Sequence, residues 1–275
     1  MKLAYSPAES IDDLTSSCYN FGDDEGIASM ATSSQAKHNA ADRKDVKDAN
    51  EAADTAVISA ADRVSETILQ GIRSGTFVPG QHLLEPDLTR RLGISRGSLR
   101  EALKHLAAAG IVTLNRFRGA YISTLDTKSI LDLLDTLEPL ARLAARLAAE
   151  HCITDAQRKR LQTAANNIDA ATKERNRGLY LECRRQFYET LIDIGGNREL
   201  SRAMPLSRTD LFRAQVETIQ TEKQRMLHAS GYARITKAVI ENDPNLADRA
   251  VKKHFDGTRK TISELPKSAF SSPEI

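Results

Sequence analysis

The chain has 275 residues and a formal net charge of +2, from 39 basic and 37 acidic side chains. This length accommodates one or two domains, and the near balance of charge argues against a protein that binds nucleic acid through overall charge alone. Three widely spaced cysteines without a C-x-x-C pair argue against a disulfide framework or a thiolate zinc site. The sequence has no apolar signal segment and no stretch long enough to span a membrane, which predicts a cytoplasmic protein.

Residues 1–53 are rich in Ser, Ala, Asp, Asn and Lys and show little apolar periodicity, which predicts a disordered tail. From about Thr55, apolar side chains recur at steps of three and four residues, which predicts a helix that ends at Ser74-Gly75. Pro79-Gly80 marks a turn, and a short helix is predicted over 85–92.

The segment that follows has the pattern of the second helix of a helix-turn-helix. Gly93 supplies the turn, and Ser95 is placed to cap the new helix, which ends near Ala109. Its apolar face consists of Leu99, Ala102, Leu103 and Leu106. A basic stripe on another face consists of Arg96, Arg100 and Lys104. Such a helix suits the DNA major groove, because arginine binds guanine edges and phosphates through two parallel hydrogen bonds. The alternative is a surface helix whose basic stripe is only solvated.

Two short strands are predicted next, over 111–114 and 120–123. The tip between them carries Arg116, Arg118 and Gly119, which suit phosphate or minor-groove contacts and close backbone approach. A basic hairpin directly after a helix-turn-helix predicts a winged helix. An ordinary basic hairpin is the alternative.

These elements together resemble the GntR superfamily of bacterial transcription regulators. The residues that carry the resemblance include Ser74-Gly75, Pro79-Gly80, Leu92-Gly93-Ile94-Ser95-Arg96, Leu99-Arg100-Glu101-Ala102-Leu103, Gly110-Ile111-Val112 and Arg118-Gly119-Ala120. The resemblance implies a winged-helix domain over 54–125, with DNA contacts at Arg96, Arg100 and the residues around them and with Gly119 at the wing tip. The full candidate DNA-contacting set is Arg90, Ser95, Arg96, Ser98, Arg100, Lys104, Arg116, Arg118 and Gly119. Two departures are Gly97-Ser98, where the family usually has Thr-Pro, and Pro86, where some relatives have an arginine.

Residues 127–265 show only helical periodicity, which predicts a bundle of six or seven helices followed by a disordered C-terminus over 266–275. Asp126 or Thr127 is placed to cap the first helix. The bundle resembles the FadR-type C-terminal effector domain on segments 137–145, 186–200 and 235–254. The predicted fold class is therefore mostly α, with an N-terminal winged helix-turn-helix and an all-α effector domain.

In many members of that domain, an Asp and a His one helical turn apart bind a divalent metal together with two later histidines. The resemblance places these four ligands at Arg184, Tyr188, Tyr232 and His254. Only His254 is retained, and the arginine puts a permanent positive charge where the cation would lie. No metal and no other cofactor are therefore predicted. His228, one turn before Tyr232, leaves a degenerate metal site open as an alternative.

The replacements indicate a different chemistry. Arg184 and Tyr188 are four residues apart on one predicted helix and point the same way. Arginine binds a carboxylate through two charge-assisted hydrogen bonds, and Tyr188, Tyr232 and His254 can add donors. The hypothesis is that these four residues bind a small organic acid directly, which agrees with the family's usual effectors. The alternative is that Arg184 pairs with a buried Glu or Asp and that the tyrosines belong to the core.

The function predicted from these observations is a ligand-responsive, sequence-specific DNA-binding regulator without catalytic residues. It is expected to act as a homodimeric repressor that a small organic acid releases from a palindromic operator, with no membrane partner. A metal-dependent variant, and an enzyme with a winged-helix interaction module, are the alternatives. No phosphate-binding loop, nucleophile elbow or H-E-x-x-H motif supports the enzyme. The low net charge also disfavours a non-specific architectural DNA binder.

Overall fold

The structure is a computed structural model, and it describes residues 59–270. The predicted tail over 1–53 and the predicted helix start near Thr55 lie outside the described residues. Residues 59–125 form a part that we call the head, and residues 126–264 form a helical bundle. Within residues 59–270, no helix combines the length and the apolar character that crossing a membrane requires.

The head contains three helices and three strands. In chain order these are α1 (Ala60–Ser74), β1 (His82–Leu83), α2 (Glu85–Leu92), α3 (Arg96–Ala108), β2 (Val112–Asn115) and β3 (Gly119–Ile122). The predicted order of helix, helix-turn-helix and basic hairpin is therefore present in the structure.

The helix ends of the head follow from single side chains. Gly93 ends α2 in the left-handed region, with φ of 60°, where a β-carbon would be strained. Ser95 then caps α3, because its hydroxyl accepts a hydrogen bond from the backbone N–H of Ser98 at 3.0 Å. The turn and the cap predicted for the helix-turn-helix are both confirmed. Pro86 lies in the first turn of α2, where its missing N–H costs nothing.

The sheet of the head has three antiparallel strands in the order β1-β3-β2. Asn115 pairs with Gly119, so each strand of the predicted hairpin extends one residue into the predicted tip, while Leu83 pairs with Ala120 on the other side of β3. Strand β1 has two residues and was not predicted. A segment this short has no detectable alternation, so its strand geometry comes only from pairing with β3 and from the stack of His82 on Tyr121, with ring centroids 4.6 Å apart.

The bundle has seven α-helices among the described residues, in agreement with the predicted six or seven. They are α4 (Thr127–His151), α5 (Asp155–Lys173), α6 (Arg177–Gly195), α7 (Arg198–Ala203), α8 (Leu206–Val216), α9 (Glu222–Ile240) and α10 (Pro244–Glu264). Asp126 caps α4 by accepting a hydrogen bond from the N–H of Ser129 at 2.7 Å. Helix α4 continues through Pro139, and Pro205 lies in the break between α7 and α8.

The end of the described chain differs from the predicted disorder over 266–275. Residues Lys267–Phe270 form a 3-10 helix, and the Phe270 ring is buried. The amide of Gln215 donates a hydrogen bond to the carbonyl of Ala269 at 3.0 Å. Burial of one aromatic ring and satisfaction of one carbonyl hold this segment on the bundle.

The head contacts the bundle through the C-terminal end of α1. The Arg73 guanidinium lies 3.6 Å from the Glu182 carboxylate of α6, and Arg177 of α6 donates a hydrogen bond to the carbonyl of Ile72 at 3.3 Å. The linker is held as well, because the Gln215 amide donates to the carbonyl of Leu125 and accepts from its N–H, both at 2.9 Å. Head and bundle therefore share an interface as well as a linker.

Candidate DNA-contacting surface and effector site

Helix α3 has the two faces that the sequence predicts. Leu99 and Leu103 are buried against α1, while Arg96, Arg100 and Lys104 are exposed. The apolar face fixes α3 on the head, and the basic face points to solvent. This arrangement leaves the stripe free to enter a DNA groove.

The candidate DNA-contacting arginines differ in their ion pairing. Arg100 lies 3.2 Å from Glu85, and Arg90 lies 2.5 Å from Asp87. Both pairs are largely exposed, so water and salt screen them and phosphate can compete for the cations. Among the described residues, no carboxylate lies within 4.0 Å of the four remaining cations. These are Arg96, Lys104, Arg116 and Arg118.

The wing tip contains a residue that the sequence analysis did not select. Phe117 is 89% exposed between Arg116 and Arg118, and the Arg116 guanidinium lies 5.9 Å from its ring centroid. The sequence signal available for Phe117 was a single aromatic residue between two arginines in the predicted hairpin tip. Gly119 has φ of 87°, and a β-carbon there would lie 2.9 Å from Nε2 of His82. The structure therefore requires glycine at this position for the sheet as well.

The bundle interior brings together all four predicted effector residues. Tyr188 and Tyr232 are edge-to-face with ring centroids 6.3 Å apart, and Tyr232 lies 4.7 Å from the His254 ring. The Arg184 guanidinium lies over the Tyr188 ring at 5.1 Å. Gly231 makes room for His254, because a β-carbon at Gly231 would overlap the imidazole. All four side chains are buried.

Arg184 has a carboxylate partner inside the bundle. Its Nη1 lies 3.3 Å from Oδ1 of Asp210, and Arg185 donates to the other carboxylate oxygen at 2.7 Å. This is the ion pair that the alternative interpretation anticipated. Burial raises the pKa of Asp210, and the charges of Arg184 and Arg185 oppose that rise.

Three residues that the effector prediction did not include adjoin this cluster. Arg213 of α8 contacts Nε2 of His228 and donates to Oγ1 of Thr258 at 3.4 Å. The Tyr180 hydroxyl lies 2.9 Å from Nδ1 of the same imidazole. Tyr180 is one turn before Arg184, so the i,i+4 rule could have selected it. Arg213 gave no such signal, because α8 is buried on nearly all sides and has no amphipathic pattern.

The charges in this interior do not balance. Burial lowers the pKa of His254 well below its usual value, and the neighbouring Arg213 and Arg184 lower it further. The same two causes lower the pKa of His228, so both imidazoles are neutral at pH 7. Asp210 is then the carboxylate that faces Arg184 and Arg185, and no described carboxylate lies within 4.0 Å of Arg213. The interior has an excess of positive charge.

Several polar atoms here also lack partners. The Nε atoms of Arg184 and Arg213 and the hydroxyl of Tyr232 are buried and have no hydrogen-bond partner among residues 59–270. A buried donor without a partner costs about 1–3 kcal/mol, so each of these atoms is a site at which a ligand would gain a hydrogen bond.

Two openings reach the cluster. The larger, about 290 Å³, lies between α9 and α10, and its lining residues include His228, Arg234, Lys253, His254 and Lys260. The smaller, about 30 Å³, has Tyr180, Arg213 and His228 among its lining residues. Of the four predicted effector residues, only His254 lines either opening.

Comparison with known protein families identifies both parts of this architecture. Residues 60–122 match the family model of bacterial regulatory proteins of the gntR family, and residues 130–257 match the model of the FCD domain. The chain belongs to the GntR family. Both predicted resemblances are thereby confirmed, as is the predicted fold class.

Two relatives are similar to this GntR-family chain over most of its length. The HTH-type transcriptional repressor NanR of Salmonella schwarzengrund (strain CVM19633) is 27% identical over 231 residues, which cover 76% of this chain and 86% of the relative. The Glc operon transcriptional activator of Escherichia coli (strain K12) is 27% identical over 230 residues, which cover 74% and 88%. The match spans 58% of the length of two further curated relatives. All four are named as transcriptional regulators, in agreement with the prediction of a regulator rather than an enzyme.

A solved structure supports the fold independently. The E. coli protein McbR/YncC superposes with a TM-score of 0.66 at 15% identity, over 75% of this chain and 98% of that one. At this identity the likeness concerns the fold alone.

The resemblance to the FadR-type effector domain implies a metal in the bundle, and the residues of this chain do not fit one. Arg184 and two tyrosines stand where three of the four ligands are expected, and the nearest pair of imidazoles is His228 and His254, with ring centroids 4.3 Å apart. Within residues 59–270, no three His, Cys, Asp or Glu side chains form a group that could hold a metal ion. The excess of buried guanidinium suits an anion instead.

Proposed function

We propose that this GntR-family protein is a ligand-responsive, sequence-specific DNA-binding repressor whose effector is a small organic acid. The observation that carries the effector part is the excess of buried positive charge around Asp210. Arg184 and Arg213 are both buried, and each has an Nε atom that finds no hydrogen-bond partner among the described residues. A carboxylate in this region would neutralise charge and supply acceptors to donors that lack them.

The DNA-contacting part rests on the head. The exposed basic stripe of α3 supplies major-groove contacts, and Arg116 and Arg118 of the wing supply backbone or minor-groove contacts. Arg90 and Arg100 exchange their exposed carboxylate partners for phosphate, and Ser95 and Ser98 add hydroxyl donors at the start of α3. Sequence specificity comes from the few side chains that reach base edges.

The proposed assembly is a homodimer on a palindromic operator in the cytoplasm. One head reads only a few base pairs, so a two-fold pair of heads in successive major grooves provides a longer site. Release by the acid is the proposed mode, although relatives of equal identity are named as repressor and as activator. A transcription assay on the operator decides the sign of regulation.

The effector site is tested by thermal unfolding of the full chain against a panel of small carboxylates, with and without a chelator. One acid is expected to raise the midpoint, because it binds only the folded state, and the chelator is expected to change nothing. Arg184→Gln should abolish the rise. Arg160→Gln is the matched control, because Arg160 is an exposed arginine paired with Asp193 at 2.6 Å.

Two outcomes would count against the proposal. A midpoint lowered by the chelator would show a metal, with His228 and His254 as the residues to examine. An acid that stabilises Arg184→Gln as much as the wild type would remove Arg184 from the site. The DNA part fails separately if excess random DNA displaces the protein from its preferred sequence.

A further inference from the structure

The smaller of the two openings, which we call the α6 pocket, lies at the N-terminal end of α6. Its lining residues include Arg175, Arg177, Arg213, Glu217, Arg225 and His228. Its volume of about 30 Å³ exceeds the space that one water molecule needs. It is large enough for a compact polar group and too small for a whole drug-sized molecule.

The walls of the α6 pocket carry four arginines and one carboxylate. Arg213 is 6% exposed and lines the pocket, and its Nε has no hydrogen-bond partner within residues 59–270. At the rim, Arg175 is paired with Glu222 at 2.8 Å, and Arg225 donates to the carbonyl of Gln220 at 2.8 Å. The buried guanidinium is therefore the unsatisfied group of the pocket. A pocket whose walls carry an excess of positive charge favours the binding of an anion.

Arg177 connects the α6 pocket to the head. Its Nε lies 3.7 Å from Glu217, and its Nη2 donates to the carbonyl of Ile72 at 3.3 Å. The guanidinium also lies against Gly75, where a β-carbon would be 2.4 Å from Nη2. Gly75 ends α1 in the left-handed region, so this arginine contacts the last turn of the helix on which α3 packs.

Both contacts of Arg177 are long. An ion pair at 3.7 Å and a hydrogen bond at 3.3 Å are weaker than a bidentate arginine–oxyanion pair, whose N···O distances are about 2.7–2.9 Å. An oxyanion on Arg213 would lie in the pocket that Arg177 also lines. It would compete with both present partners for the Arg177 guanidinium.

We propose that the α6 pocket binds a small oxyanion, a carboxylate or a phosphate group, on Arg213, and that the bound anion draws Arg177 away from Ile72 and Glu217. Occupancy of the pocket is thereby transmitted to the C-terminal turn of α1 and through it to α3. The inference rests on the proposed ligand-responsive function and assigns its coupling residue. It also places the anion on α8, one turn beyond Asp210.

Binding is tested with the full chain and two probes, sodium acetate and sodium phosphate, each compared with sodium chloride at equal ionic strength. We expect acetate or phosphate to raise the unfolding midpoint of the wild type. Arg213→Gln should weaken the apparent affinity at least about tenfold, because it removes a charge-assisted hydrogen bond. Arg213→Lys keeps the charge and should retain part of the binding. A ranking of acetate over phosphate, or the reverse, identifies the class of anion.

Coupling is tested by amide hydrogen exchange over residues 71–77. The N–H of Phe77 is bonded to the carbonyl of Gly71 at 2.9 Å and reports on the last turn of α1. The anion should change exchange in this segment about threefold or more in the wild type. Arg177→Gln should still bind the anion at Arg213, with lower affinity because one of the pocket's arginines is gone, and at saturating anion it should lose the response. Arg160→Gln, on the surface of α5 and outside the pocket, should keep both binding and response.

The results separate this inference from the proposed function. If Arg213→Gln binds acetate and phosphate as tightly as the wild type, or if neither anion binds, the α6 pocket is not the site. The proposed role of Arg184 is then decided separately, by the thermal unfolding measurements with the panel of small carboxylates. If Arg177→Gln keeps the full exchange response, the pocket binds anions but Arg177 does not couple it to the head. If Arg213→Gln is unfolded, Arg213→Lys supplies the binding comparison.

Discussion

The head and the bundle use arginine in opposite ways. In the head, Arg96, Arg116 and Arg118 are exposed, and in the described chain no carboxylate lies within 4.0 Å of them. In the bundle, Arg184 and Arg213 are buried among aromatic rings, and in the part of the chain that the structure describes only Arg184 of the two has a carboxylate partner. An exposed cation is solvated and available to a partner, so it contributes little to stability. A buried cation is part of the fold, and its removal changes the fold and the site together.

The strongest test of this contrast is Arg184→Ala. The change leaves the buried Asp210 with Arg185 as its remaining ion-pair partner and empties the space beside Tyr188. We expect the free energy of unfolding to fall by about 3 kcal/mol, as for other broken buried pairs. Urea unfolding measures the loss. Arg160→Ala on the surface of α5 should change it by no more than about 0.5 kcal/mol, and equal losses for the two variants would contradict the contrast.

The second test uses pH. Because burial keeps the pKa of His254 well below 6.5, the folded chain binds fewer protons at this residue than the unfolded chain does. Its contribution to stability is complete above about pH 6.5 and is lost as the pH falls below that value, by about 1.4 kcal/mol per pH unit.

Chemical unfolding at pH 7.5 and pH 5.5 measures this dependence. His254→Gln should make the dependence shallower without abolishing it, because the pKa of His228 is lowered by the same causes. Equal pH dependences in His254→Gln and in the wild type would show that His254 does not contribute to the dependence.

The third test concerns the exposed cations. Arg96→Ala should leave the unfolding free energy unchanged within about 0.5 kcal/mol and weaken binding to the operator by about 1–3 kcal/mol. Fluorescence anisotropy on labelled operator DNA gives the affinity. Arg63→Ala, on α1, serves as a surface arginine outside the candidate set. A loss of stability without a loss of DNA affinity would assign Arg96 to the fold.

The smallest expected effect comes from Gly93. Its β-carbon position is open, with nothing within 4 Å, so Gly93→Ala meets no steric clash and costs only the left-handed backbone conformation. We expect a loss of about 1 kcal/mol in the unfolding free energy and unchanged contacts of α3. Gly97→Ala is the control and should be neutral or stabilising, because Gly97 has no positive φ and its β-carbon would make only an ordinary contact of 3.7 Å with Oγ of Ser95.

The sequence was a good guide wherever a pattern was local. The helix periodicity, Gly93, Ser95 and the basic stripe of α3 are all short-range features, and the head matches them closely. In the bundle, the i,i+4 spacing of Arg184 and Tyr188 brought two site residues together. Asp210 and Arg213, which contact this cluster, lie on α8. Buried residues occur on nearly all sides of α8, so its sequence has no amphipathic periodicity.

The features that the sequence did not predict depend on contacts between distant parts of the chain. Strand β1 exists only because β3 lies beside it, and Phe270 is ordered only because the bundle covers it. The carboxylate opposite Arg184 lies 26 residues further along the chain. A single sequence can indicate that a buried arginine needs an anion, but not which residue, or which ligand, supplies it.

The side chain of Gln215 has a mechanical consequence. Its amide pairs with both backbone groups of Leu125 in the way that a neighbouring strand would, and its Nε2 also holds the carbonyl of Ala269. One side-chain amide therefore links three parts of the protein: the segment at Leu125, the segment at Ala269 and helix α8. Bending the chain at Leu125 breaks two hydrogen bonds, at a cost of about 1–3 kcal/mol in total. The connection between head and bundle at Leu125 therefore resists bending, and it is attached to α8, the helix that carries Asp210 and Arg213.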